Sequence, residues 1–257
     1  MSTVTDPAAP LAGLRRPALP RDLALRLAAT EYERFTRLLG DLTGTEWALP
    51  VPDCPGWDVR ALAGHVLGSV RMATSLRSLL WQNARSTLVG GGVDSLTALQ
   101  IREQAGLSAD EVVRGLIAGW PDAVRGRRRL AGSIGRLPVP VRQVVGDARE
   151  TWTFAFLLDV VLTRDTWMHR LDVCRALGRE PDLTADSDGV LVDDVVREWA
   201  ARHGRPYRLT LTGPAGGTWH SGAAGAVDDL ELEAVEFCRL LSGRGAGEGL
   251  LAQQVPF

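Results

Sequence analysis

Positions Phe154, Leu158, Val161, Asp165, Met168 and Asp172 recur at intervals of four and three residues, the period of one face of an α-helix. A helix running from Thr151 to Leu177, with Gly178 as its stop, has to bury that face against other helices, which commits the chain to helical packing around it. Two of the inward positions are nevertheless carboxylates. His169 lies four residues after Asp165 and three before Asp172, so an imidazole and both carboxylates come to neighbouring points of one face. An unpaired ionised carboxylate in a bundle core is costly, and these side chains therefore require a cation, a hydrogen-bond network or water. A bound metal satisfies them together. Pairing of Asp165 and Asp172 with Arg164, Arg170 or Arg175 is the structural alternative.

The same periodicity predicts three further long helices upstream. Leu23, Leu25, Leu27, Ala28, Tyr32, Phe35 and Leu38 mark one from Arg21 to Leu39, stopped by Gly40. After the turn at 52–57, Asp58 is a suitable N-cap for a second that runs to about Trp81, with Val59, Leu62, Val66 and Val70 on its buried side. Ser108, followed by Asp110 and Glu111, opens a third that reaches about Val124. Four long helices predict a bundle. The texture changes after Gly178. A turn-rich stretch leads to a helix over 190–202, and Tyr207 to Thr212 then alternates with the period of a half-buried strand. Gly213 to Gly217 turns the chain into a short strand around 218–220, and a last helix spans 230–241. The expected fold class is α+β, with residues 1–19 as a flexible leader, 20–179 as a helical bundle and 180–257 as a small α/β domain.

The charge balance narrows the function classes. With 29 basic against 31 acidic side chains the net charge is -2, which offers no electrostatic case for nucleic acid or an anionic membrane as partner. The cluster Arg125 to Arg129 reads as a solvated helix end. The longest apolar run, Phe154 to Leu162, is broken by Asp159 and is too short to span a bilayer. Residues 1–20 lack the cationic start and apolar core of a signal peptide. Cys54, Cys174 and Cys238 are odd in number and form no CxxC pair, which argues against a disulfide framework or a cysteine zinc site. A cytoplasmic setting is expected.

His65 is the natural partner for the polar cluster. It sits on the predicted second helix one turn after Ala61, and Gly64 and Gly68 leave room there for the close approach of a neighbour. Two histidines and one carboxylate from facing helices make a familiar zinc set, and three protein ligands leave positions for water or substrate. His65 and His169, with one of the two carboxylates, are therefore candidate metal ligands. Other motifs are weaker. The glycines at 243, 245, 247 and 249 follow a helix and open none, unlike a nucleotide loop. His203 and His220 lack ligand-like spacing, and Cys54 has no base beside it in sequence. Trp57, Trp167 and Met168 read as packing rather than as pocket wall.

The segments Val51–Pro52–Asp53–Cys54–Pro55–Gly56–Trp57–Asp58–Val59–Arg60, Gly64–His65–Val66–Leu67–Gly68 and Trp167–Met168–His169–Arg170–Leu171–Asp172–Val173 together resemble the mycothiol-dependent maleylpyruvate isomerase family of the DinB-like superfamily. The resemblance continues through Glu198–Trp199, the turn at 213–217 and the stretch 235–244. It implies a DinB-like four-helix metal-binding domain followed by a smaller α/β domain. It also implies a divalent metal, usually zinc, held by a histidine of the second helix and by two residues one turn apart on the fourth, which match His65, Asp165 and His169. The family commonly has glutamate where this chain has Asp165, and the shorter stem bears on the metal's identity and affinity. Asp172 falls to orienting His169, because metal-bound imidazoles usually donate their other nitrogen to a carboxylate or carbonyl; direct ligation by Asp172 is the alternative.

The resemblance further implies the small thiol mycothiol as cosubstrate. A divalent cation favours thiolate over thiol, and the thiolate either adds reversibly to a conjugated cis double bond, which isomerises it, or is transferred to a small electrophile. Arg244, in the turn Ser242–Gly243–Arg244, is the candidate catalytic arginine, available to pair with a carboxylate of thiol or substrate. A surface role at a helix C-terminus is its alternative. Arg239 competes with it as the cofactor-binding arginine. The rival functions are a non-catalytic metal- or small-molecule-binding protein on the same bundle and a metal-dependent tailoring enzyme without a thiol.

Overall fold

The computed structural model describes residues 14–88, 90–222 and 228–257. A short strand, β1 (Leu14–Arg15), leads into α1 (Arg21–Gly40), close to the predicted bounds. Asp58 caps α2 (Val59–Ala73), its carboxylate accepting the Ala61 amide at 2.7 Å. The helix predicted to continue to Trp81 ends at Ala73 because Ser75 supplies a second cap. Its hydroxyl accepts the Ser78 amide at 3.2 Å and restarts the chain as α3 (Leu76–Thr87). Next comes α4 (Gly92–Gln104), for which the sequence pattern carries no expectation.

Ser108 and Glu111 form a reciprocal capping box at the start of α5 (Ala109–Ser133). That helix passes its predicted end at Val124 and takes in the arginine cluster. Arg127 is no solvated residue: it is fully buried and donates to the Tyr32 hydroxyl at 3.3 Å and to Thr163 Oγ1 at 2.5 Å. A hairpin of β2 (Gln143–Val145) and β3 (Ala148–Trp152) follows, so Thr151 lies in a strand and Thr153 is the cap of the next helix. The helix starts as α6 (Phe154–Phe156), widens into a π turn at Leu157–Val161 and continues as α7 (Leu162–Ala176). Gly178, at φ 62°, terminates it. Leu14 pairs with Thr151 in parallel register, so the expected leader is anchored from β1 onward, while residues 1–13 lie outside the described residues.

α1, α5, α2 and α7 pack around one core that includes Tyr32, Phe35, Leu62, Val66, Leu116 and Val173. α3 and α4 cover α2 from outside. Gly64 and Gly68 receive α4, as their spacing predicts: a Cβ built at Gly68 would lie 2.5 Å from the Gln100 Cβ, a distance real side chains do not adopt.

Beyond Gly178 the chain forms α8 (Val190–His203), then β4 (Tyr207–Thr212), β5 (Gly217–Ser221), β6 (Asp228–Glu233) and α9 (Ala234–Leu241). The helix predicted from Leu230 begins only at Ala234. Leu230 and Leu232 alternate along β6 and pair in parallel with Leu209 and Leu211 of β4, and Glu233 caps the helix that follows. The sheet order is β5–β4–β6. A second core joins Leu209 and Phe237 to Val195 and Trp199 of α8 and to Trp167, Met168 and Leu171 of α7.

α7 thus serves two cores at once. From Leu162 to Cys174 every residue is buried except Asp165, which is open on one side. The fold is α+β as the patterning predicts, and its helical first part fits the DinB-like architecture. Among the described residues no helix is long and apolar enough to cross a membrane.

Candidate metal centre

α2 and α7 bring His65, Asp165 and His169 together. Asp165 Oδ1 lies 3.3 Å from His65 Nε2 and 3.4 Å from His169 Nε2, and the imidazoles stand edge to face with centroids 5.1 Å apart. The cluster lines an open cleft of about 800 Å³, with Cys54 and Trp57 from the turn before α2 and Arg244 and Phe257 from the end of the chain. Trp57 leans over both imidazoles, its ring 5.7 Å from that of His65 and 6.0 Å from that of His169.

A second layer sits behind His169. Asp172 is fully buried and accepts from His169 Nδ1 at 3.0 Å, from Arg244 Nε at 2.9 Å and from Arg244 Nη2 at 2.7 Å. A carboxylate only accepts, so Nδ1 carries a proton toward Asp172, and Nε2 is the nitrogen that faces Asp165. Burial pushes the Asp172 carboxyl up, but His169 and Arg244 overrule it and hold it below the usual range. Burial likewise opposes charge on Asp165 and His169. The two imidazoles nonetheless depress the Asp165 carboxyl strongly, and Asp165, Asp172 and Cys54 raise the His169 imidazole. The negative field that holds a proton on His169 is one that also attracts a divalent cation.

The arginines do not take the alternative pairing. Arg164 is engaged by Asp194 and Glu198, Arg170 by Glu31 and Asp188, and Arg175 by Asp53. None of them reaches Asp165 or Asp172. Two atoms of the cluster, His65 Nδ1 and Asp165 Oδ2, are buried and make no hydrogen bond to the described residues. Two convergent imidazole nitrogens and a carboxylate short of partners, held on packed helices, are a donor set that suits zinc.

Arg239 stands elsewhere. It does not line the cleft: its guanidinium holds both oxygens of Asp53, with Nη2 at 2.8 Å from Oδ1, and its Nε donates to Glu236. That pair fastens the turn carrying Cys54 and Trp57 to α9. Trp167 and Met168 are core residues as expected, whereas Trp57 is cleft wall. Cys54 gains a neighbour that sequence adjacency does not show, its Sγ lying 3.7 Å from Asp172 Oδ2. α4 also lines the cleft through Val93, Thr97, Ala98 and Ile101. The Gly64 and Gly68 groove is the sequence signal for a helix docking there, and nothing local identifies which helix it is.

The family model described as mycothiol maleylpyruvate isomerase N-terminal domain matches residues 28–174. Two uncharacterized proteins of Mycobacterium tuberculosis, from strains H37Rv and CDC 1551, are each 26% identical over 227 residues, covering 84% of this chain and 83% of the relative. Crystal structures of the mycothiol-dependent maleylpyruvate isomerase share the fold with a TM-score of 0.56, covering 89% of this chain and 91% of the other. Identity is 18% in one of these and 17% in a histidine-to-alanine mutant.

Proposed function

The chain belongs to the mycothiol maleylpyruvate isomerase N-terminal domain family, and from that premise we propose that it is a metal-dependent enzyme acting on a small electrophile with a low-molecular-weight thiol of the mycothiol type. The observation that carries this reading is the convergence of His65, Asp165 and His169 in the wall of a cleft, backed by the Asp172–Arg244 pair. His65, Asp165 and His169 would hold the metal, with zinc the best match to the donors. A divalent cation there supplies the positive charge that makes a thiol nucleophilic at neutral pH.

The remaining residues set the stage for that nucleophile. Asp172 fixes the tautomer and orientation of His169. Arg244 spends Nε and Nη2 on Asp172, and its Nη1 is the donor left for a carboxylate of thiol or electrophile. Trp57 covers the two imidazoles and limits water around them. The thiolate would add to a cis double bond conjugated with a carbonyl, forming a C–S bond while the π electron pair moves onto the carbonyl oxygen as an enolate, which leaves a rotatable single bond. Elimination breaks the C–S bond and returns the trans product and the thiol. With a saturated electrophile that carries a leaving group, the same attack ends in S-transfer.

The test is elemental analysis of the wild type and of His65→Ala, Asp165→Ala and His169→Ala, each then titrated with mycothiol by calorimetry and assayed on maleylpyruvate. Stoichiometric metal in the wild type, its loss in all three variants and thiol-dependent turnover are expected. A protein that takes up no metal after reconstitution with zinc overturns the reading. Metal-dependent turnover without thiol assigns the site to the tailoring class instead.

A further inference from the structure

α4 packs Leu96 and Leu99 inward but buries two amides beside them and leaves apolar side chains on its open face. Its buried positions are Leu99, Gln100 and Gln104. Gln100 donates to Gln82 Oε1 at 3.0 Å and accepts from Ser69 Oγ at 3.4 Å, and Gln104 accepts from Arg71. Two amides are thus taken out of water and need those partners. On another face Val93 is 52% exposed, Ala98 is exposed, and Thr97 and Ile101 are half-buried. The spacing of 93, 97, 98 and 101 makes these residues one helical stripe, and all four line the cleft that holds His65, Asp165 and His169, together with the exposed charges Asp94 and Arg102 of the same helix. Half-buried Trp57 and Phe257 add apolar surface to the same cleft. Apolar surface left to water is unfavourable, and an open apolar stripe with polar groups around it marks a ligand groove. At about 800 Å³ the cleft has room for a chain on this stripe beside a cosubstrate.

We infer that the α4 stripe is the specificity wall of the cleft and that it takes an alkyl or aryl portion of the electrophile, so that the substrate class is an unsaturated acid with an extended apolar tail. The position of the reactive end rests on the function proposed above; the wall rests on α4 alone. Zinc-reconstituted protein titrated by calorimetry with crotonate, trans-2-hexenoate and trans-2-octenoate tests it. Affinity is expected to rise about fourfold for each buried methylene. In the Val93→Ser/Ile101→Ser double variant that dependence should flatten. Ala98→Trp, at an exposed position that leaves the core intact, should lose octenoate while still binding crotonate. Affinity independent of chain length in the wild type overturns the inference, as does a full chain-length dependence in a double variant that melts with the wild type. If the double variant does not fold, undiminished octenoate binding by Ala98→Trp overturns it. Chain-length dependence without thiol-dependent turnover sinks the functional reading and supports the wall; turnover without chain-length dependence does the reverse.

Discussion

Two buried polar clusters share α7, and they differ in whether their atoms are satisfied. On one side Arg170 donates to Glu31 at 2.8 Å, to Asp188 at 2.6 Å and to the Asp182 carbonyl at 3.2 Å. Asp188 also accepts from Trp167, Arg34 and the Thr184 amide. Every charge in that network has an opposite partner, and none of its buried side-chain atoms is left without a hydrogen bond. On the other side, one turn away, His65 Nδ1 and Asp165 Oδ2 are left over at the edge of a cleft. A saturated buried network holds helices in register and has no capacity for a ligand. An unsaturated one in a cleft has that capacity. On a single helix the contrast distinguishes the Arg170 network from the candidate metal site.

The largest effect should come from breaking the saturated side. Arg170→Met leaves Glu31 and Asp188 buried without their main counter-charge and is expected to cost about 3–5 kcal/mol in urea denaturation. Asp165→Ala should change stability by far less while abolishing metal retention. Equal losses in the two variants would break the comparison. Asp172→Asn touches the layer that links fold to site. It should weaken zinc affinity about 10–100-fold in chelator competition, because His169 loses its orienting carboxylate. An unchanged affinity would mean that packing alone orients the ring.

The smallest effect is a pH dependence read on the saturated side. Burial pushes the Asp188 carboxyl up, but Arg170, the Thr184 amide, Trp167 and Arg34 overrule it, so its folded pKa lies below the ordinary carboxylate value. Its stabilisation is therefore present above that ordinary value and is lost as pH falls through the lowered one. Glu31 works the other way, because burial dominates and raises its pKa. Its share is present in acid and fades as pH rises through the raised value. Urea midpoints followed downward from neutral pH should show an acid limb that Asp188→Asn flattens, and an unaltered limb would assign it to other carboxylates.

Features carried by neighbouring residues are legible without coordinates. Asp58 and the Ser108/Glu111 box start their helices where their hydroxyl and carboxylate groups predict, since a cap needs only the next three amides. The alternation of β4 is equally local. Where local signals compete, the reading slips. Ser75 breaks a helix whose periodicity runs on, and Leu230 and Leu232 join β4 as a strand although the same residues suit a helix face. α4 escapes the pattern because it buries glutamines, which no hydrophobic period marks.

By itself the sequence determined the α+β class, the helix that carries Asp165, His169 and Asp172 on one side, and the small-residue groove beside His65. These follow from helical periodicity and from the absence of a side chain at Gly64 and Gly68, which act over a few residues. Only the tertiary structure decided which arginine meets which carboxylate. Arg239 and Arg244 flank the same turn, yet one clamps Asp53 and the other Asp172. Arg170, next in the chain to His169, turns to Glu31, far upstream on α1. Ion pairing is long-ranged and indifferent to sequence distance, and burial excludes the water that would otherwise satisfy every charge alone. Partners are therefore chosen by where the packed helices leave each guanidinium.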